Sequence, residues 1–331
     1  MGLIGKIKRK ACTFYRQAIV CDQYPMLTTI SRKEWQEKGA IGLVFMLHHI
    51  TKKDPNGIPS NEDLKVSPYF LEKIIIKYKK KGFVFISLDQ LFTIILSDES
   101  PKRPFICFTI DDGYLDNYTN ALPVFEKYNV PFAIFVATDF IERKAILWWD
   151  ILEELVQQNN YVHFNDETFF CLSFQDKWNT FRTIRERILK FDQNKLLESL
   201  ENSFFQYSID WFLPIQEKAM SWNHIRELSK NPLCTIGGHT TTHPALNKLS
   251  KSEIHQEVSA NISKLKEVTG KKINHFAFPY GSSNEIGERE YQLIKEFNFR
   301  TAFIAYGGCI TNENKYDITH LPRVYLHERY I

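Results

Sequence analysis

From Gly42 onward, short apolar runs alternate with helix-length amphipathic stretches, the pattern of parallel strands covered by crossover helices. The runs cover residues 43–47, 83–87, 105–110, 132–136, 233–236, 275–278 and 301–305, with a weaker one around 321–326. They predict an α/β fold, a distorted (β/α) barrel of seven or eight strands, in preference to an open sheet. One helix carries clear punctuation. Ser250 and Glu253 form a capping-box start, Gly270 marks the stop, and Ile254, Val258, Ile262, Leu265 and Val268 line one face. That stripe is structural and is assigned no chemistry.

The alternation breaks over residues 141–221, too long a stretch for a simple crossover, which is therefore an insertion in a barrel domain spanning 41–331. Within it, 161–172 reads as a hairpin turning at Asn165-Asp166, and 180–205 as helical. Near its start stand Trp148 and Trp149. Trp149 is the candidate to stack on a sugar ring at the barrel mouth, while at least one of the pair is expected to pack internally.

The first forty residues form a separate arm. Leu3, Ile4, Ile7, Ala11 and Phe14 recur at helical spacing, with Lys6, Lys8, Arg9 and Lys10 largely on other faces. Such an arm either lies on an anionic membrane as a peripheral contact or packs on the protein's own surface or a partner subunit. No run of eighteen apolar residues follows it and no apolar stretch succeeds its lysines. The expected location is the cytoplasm, at most touching the inner face of the membrane.

Composition narrows the choice only slightly. A net charge of +3 is too small for a phosphate-tracking surface, so nucleic acid is excluded as a partner. The six cysteines include no Cys-x-x-Cys pair and are expected to be reduced and mostly buried. The 26 Phe point to an aromatic-rich core.

The chemistry is concentrated where runs end. His48-His49, Asp111-Asp112-Gly113, His239 with His243, and Pro279-Tyr280-Gly281 each follow an apolar run, and Arg323 sits within the last one. In a barrel, these ends converge on one face. Two histidines four residues apart and a carboxylate from another strand make a His₂Asp site open to water. Zinc suits it, and iron, cobalt or nickel suit the same donors. One metal needs one of the two aspartates, which leaves the other free as a base.

The segments 108–114, Phe-Thr-Ile-Asp-Asp-Gly-Tyr, and 239–243, His-Thr-Thr-Thr-His, resemble the first two motifs of the polysaccharide deacetylase family, carbohydrate esterase family four. Met46-Leu-His-His-Ile50, Phe278-Pro-Tyr-Gly281 and Leu321-Pro-Arg323 match further family-like positions in the right order, so the resemblance spans roughly 42 to 323 outside the insertion. It implies Asp111 as general base and Asp112, His239 and His243 as ligands of a divalent metal. It also implies the Tyr280 backbone N–H as oxyanion donor. Both His48 and His327 match histidines that family members use as general acid. His48 is preferred, because its strand-end position follows from the barrel itself, and His49 should then point away as a structural histidine.

The chain departs from the family at Ala277, where many members carry an arginine beside the catalytic aspartate. Arg323, counted with Tyr280 and Trp149 among the residues around the substrate, is the candidate replacement. The activity implied is metal-dependent removal of an N-acetyl group from an acetamido sugar. A nucleotide- or lipid-linked intermediate of cell-surface polysaccharide synthesis is the expected substrate. A deformylase or another amide hydrolase, and a catalytically inactive carbohydrate-binding relative, are the alternatives.

Overall fold

The computed structural model describes residues 39–97 and 99–327. The basic amphipathic arm falls outside these residues. Seven parallel strands close a barrel: β1 (Ala40–Leu47), β3 (Phe105–Asp112), β4 (Phe132–Val136), β5 (Cys234–Gly238), β6 (His275–Ala277), β7 (Thr301–Gly307) and β8 (Leu321–Tyr325). They pair in that order and β8 returns to β1 at Phe45 and Met46. The eighth expected run is present as a short strand, β2 (Val84–Phe85), paired with Phe105 and Ile106. It stays outside the ring because β1 pairs directly with β3 over six residues, from Gly42 opposite Phe105 to Leu47 opposite Ile110.

The side-chain period of two sorts each strand into two layers. Val44, Phe105, Cys107, Ala133, Phe135, Ala277, Phe303 and Leu321 form an interior cluster. Their neighbours Phe45, Ile106, Phe108, Ile110, Ile134 and Phe276 join a larger cluster with helices such as α1 (Pro68–Lys80) and α5 (Lys251–Thr269). The same parity turns Asp111 and Arg323 into the top of the barrel, above a floor of packed aromatic and aliphatic groups. The ends of α5 are as expected: the Ser250 hydroxyl accepts from the Glu253 N–H at 3.3 Å, and Gly270 closes the helix at φ 69°.

The insertion holds α2 (Trp148–Gln158), a hairpin of Tyr161–Phe164 with Glu167–Phe170, α3 (Phe174–Ile188) and α4 (Leu196–Ser203). Asn165, at φ 54°, supplies the left-handed residue that a tight hairpin needs. One expectation is corrected here. The helix anticipated over 180–205 is two helices: the first ends at Ile188, and Asp192, in extended backbone, accepts from the Asn194 N–H at 3.0 Å and starts the turn that leads into the second. Trp148, Ile151, Phe164, Phe181, Phe204 and Trp211 belong to a core of the insertion's own.

Cys107, Cys171, Cys234 and Cys309 are free thiols. Among the described residues no helix is long and apolar enough to cross a membrane.

Candidate active site and metal centre

Asp111 and Asp112 close β3 in two different backbone states. Asp111 continues the inward parity of Thr109, and its carboxylate meets Arg323 as a fork: Nη1 donates to Oδ1 and Nη2 to Oδ2, each at 2.7 Å. Two more Arg323 donors are taken up inside the barrel, Nε by the Ile304 carbonyl at 2.9 Å and the other Nη1 N–H by the Thr109 hydroxyl at 3.2 Å. The guanidinium is 0% exposed. Arg323 therefore holds the aspartate and does not touch a sugar, which removes it from the substrate-binding group. It comes from β8, across the barrel, and fills the role left vacant by Ala277.

Burial alone would raise the Asp111 carboxyl. The Arg323 guanidinium, with His239 and His48 nearby, outweighs it and keeps the group below the ordinary carboxylate range.

Asp112 leaves extended backbone at φ 78°, and its Oδ1 lies 3.3 Å from His239 Nε2 and 3.4 Å from His243 Nε2. The three donor atoms lie within 4.8 Å of one another. Ligands of a tetrahedral ion with bonds of about 2.0–2.1 Å stand about 3.3–3.4 Å apart, so the spacing fits a single cation. The chemistry of the donors fits it too. His239 Nδ1–H donates to the Ala277 carbonyl at 2.7 Å, which directs Nε2 at the carboxylate. Burial pushes His243 down to about 4, so its ring is neutral where its Nε2 faces the same carboxylate oxygen. Asp112 Oδ1 is buried without a hydrogen-bond partner. Burial works against a charge on His239, but Asp112 and Asp111 outweigh it and raise that ring. A cation would take the place of that proton.

Thr240, His243 and Tyr280 share the left-handed backbone of Asp112, at φ 63°, 61° and 56°. Four such non-glycine residues around one cluster are backbone strain that the surrounding structure must hold. Helix α5 supplies the restraint. Asn261, fully buried, donates to the Val136 carbonyl at 2.9 Å and to the Thr240 carbonyl, and accepts from the His239 N–H at 3.3 Å. One turn earlier, Glu257 accepts from the Thr241 and Thr242 N–H groups at 2.8 and 2.9 Å and from the Thr242 hydroxyl at 3.0 Å. Gly238 completes the fit, since a Cβ there would meet Asn261 Oδ1 at 2.8 Å.

Helix α5 thus braces the turns that carry His239 and His243, beyond the packing that its apolar stripe explains. The signal was present: Asn261 is a polar residue seven after Ile254 and three after Val258, in the middle of the apolar stripe. Replacing Asn261 by Leu leaves the His239 N–H and two carbonyls unpaired, at about 1–3 kcal/mol for each buried group. Metal affinity should fall about 10–100-fold, read by metal titration alongside thermal unfolding.

His48 stands beside this cluster, with Nδ1 buried and unpartnered and its carbonyl accepting from Asn117 Nδ2 at 2.7 Å. Burial lowers its pKa against the pull of Asp112 and Asp111. His49 points the other way, pairing with Asp116 at 2.9 Å and stacking on Tyr114 at 3.8 Å. Asp116 accepts from His49, the Ile50 N–H and Asn117 Nδ2. His327, the other candidate acid, is engaged by Asp63 at 2.7 Å.

The Tyr280 ring packs on His243 at 4.7 Å, and its backbone N–H donates to no main-chain carbonyl among the described residues. Trp148 is buried and Trp149 half-buried, and Trp149 stands edge-on to His243 at 6.1 Å. Both line a pocket of about 360 Å³ that opens from His243 and Tyr280.

The family model for polysaccharide deacetylases matches residues 98–169 and 172–302, which include Asp111, Asp112, His239, His243 and Tyr280. The chain belongs to the polysaccharide deacetylase family. Bacillus subtilis (strain 168) YxkH, provisionally named a polysaccharide deacetylase, is 28% identical over 121 residues. That match spans 37% of this chain and 40% of the relative. Among solved structures, Streptococcus pyogenes deacetylase PplD in complex with acetate aligns with a TM-score of 0.58 at 16% identity, covering 86% of this chain and 92% of that one. IcaB from Ammonifex degensii aligns with a TM-score of 0.55 at 17% identity, covering 87% and 92%. At these identities the likeness is one of fold, and it matches the seven-stranded barrel of this polysaccharide deacetylase family member.

Proposed function

We propose that the protein is a metal-dependent hydrolase that removes the N-acetyl group of an acetamido sugar. The observation that carries this is one carboxylate and two imidazoles converging at cation spacing, while the adjacent carboxylate is left off the cluster and locked by an arginine. Zinc is the first choice for these donors.

A bound divalent metal would polarise the amide carbonyl and lower the pKa of a coordinated water. Asp111, ionised at neutral pH, takes the proton from the attacking water. The Tyr280 backbone N–H, which no main-chain carbonyl takes up among the described residues, is the donor for the developing oxyanion. As the C–N bond breaks, the departing amine nitrogen needs the proton that the water gave up; His48, neutral at rest because burial lowers its pKa, takes that proton up as negative charge builds beside it and passes it to the amine. Trp149 offers an aromatic face to the sugar.

A single sugar on a nucleotide or lipid carrier is the substrate this reading favours, since the pocket is of single-sugar size. Acetate release from such donors, with metal content measured on the same sample, tests the proposal. Activity is expected to vanish with a chelator and to return with zinc or another divalent ion in proportion to the metal bound. Acetate release that persists in metal-free protein would end the reading.

A further inference from the structure

The pocket beside His243 has two walls of different origin. Phe140, Thr242, Glu257 and Tyr280 come from the barrel loops and α5, and Trp149, Asn194 and Leu197 come from the insertion. The insertion wall is fastened at two places. On α2, Glu153 accepts from the Ile58 N–H and from Asn61 Nδ2, each at 2.6 Å, and Asn61 also donates to the Trp149 carbonyl at 3.1 Å. This ties the wall to the loop that follows β1. At the other end Asn194, in the turn before α4, donates to Glu253 on α5 at 2.8 Å. Glu253 lies one turn from Glu257, so this bond joins the two walls at the rim of the pocket.

We infer that the insertion makes this an end-binding pocket. It takes one acetamido sugar, at the terminus of a glycan or alone on its carrier, and turns away internal residues of a long chain. The inference rests on the deacetylase reading above. A cleft that serves internal residues must let the glycan continue in both directions past the reacting sugar. Here one direction meets the wall of Trp149, Leu197 and Asn194, and that wall is bonded to both flanks of the barrel mouth. The volume of about 360 Å³ lies at the low end of ligand pockets, about 300–1,000 Å³, and suits a single ring with its acetamido group. Asp139 and Glu257 supply the polar groups that hold sugar hydroxyls, and Lys144 is the one cation among the residues lining the pocket.

The test uses the full chain loaded with zinc and four probes: an N-acetylated hexosamine on a nucleoside diphosphate, the same hexosamine as a simple glycoside, its tetramer and its long polymer. Acetyl groups lost per chain are counted by mass spectrometry, with fragmentation to place them. The expected result is one acetyl lost per tetramer, always from a terminal sugar, with a rate per chain that does not grow with length. Opening the wall by Asn194→Ala together with Leu197→Ala should raise the ratio of internal to terminal release several-fold. Wild-type loss of two or more acetyl groups from internal positions overturns the inference while leaving the deacetylase reading intact. No acetate from any probe removes that reading, and the inference with it.

Discussion

Replacing Asp111 by Asn should lower kcat for acetate release by about 10²–10⁴-fold, the usual contribution of a positioned base, while the metal remains bound. Asp111 lies off the cluster formed by Asp112, His239 and His243, so removing its charge leaves all three donors in place. The asparagine oxygen still accepts one bond from Arg323, but the second guanidinium N–H then faces an amide NH₂ across 2.7 Å. Some stability is therefore lost as well. Metal stoichiometry and the folded fraction must be read beside the rate. A variant that binds metal as the wild type does and still releases acetate at more than a tenth of the wild-type rate would show that the water's proton goes elsewhere.

The residues in this prediction were largely legible in the sequence, for a physical reason. Strand parity and the convergence of strand ends are one-dimensional rules, and they brought Asp111, Asp112, His48 and the His239–His243 pair together before any coordinates. The two-residue periodicity also separates His48 from His49. Direction within the barrel was harder. Arg323 could be suspected of replacing the missing arginine at Ala277, but not distinguished from a substrate-binding group, because whether a guanidinium faces its own barrel or a ligand depends on the opposite strand.

Asp112, Thr240, His243 and Tyr280 are left-handed without being glycines, so residue type alone does not announce those turns. Their support, from Asn261 and Glu257, comes from a helix whose apolar stripe already explained its placement. The break between α3 and α4 was missed for a similar reason. A helical period continues across it, and the extended Asp192, whose side chain accepts from the Asn194 N–H, starts a new turn instead of prolonging the first helix.

Arg323→Met gives the second large effect and separates two consequences of one ion pair. Removing one partner of a buried pair leaves the other charge uncompensated, which costs about 3–5 kcal/mol. Arg323 and Asp111 are both nearly unexposed, so solvent cannot screen the loss. The variant should unfold at much lower urea concentration. Adding Asp111→Asn removes the stranded charge, so the double variant should be more stable than Arg323→Met alone, a departure from additivity that marks direct coupling.

The pH dependence follows from the sign of the shift. In the wild type the guanidinium holds Asp111 below its ordinary value of 3.8 against the effect of burial. Stability from this pair is fully present above that value and is lost as pH falls through the lower folded pKa. Without Arg323 the strongest influence holding the carboxyl down is gone, so its pKa shifts upward and the acid limb of kcat/KM moves to higher pH. The held-down pKa makes Asp111 a weaker base than an unpaired buried carboxylate but keeps it ionised. Above its new acid limb, Arg323→Met can therefore lose orientation without losing intrinsic basicity. An unmoved acid limb in a folded, metal-loaded Arg323→Met protein would mean that the limb reports another group and that the Arg323–Asp111 fork is structural only.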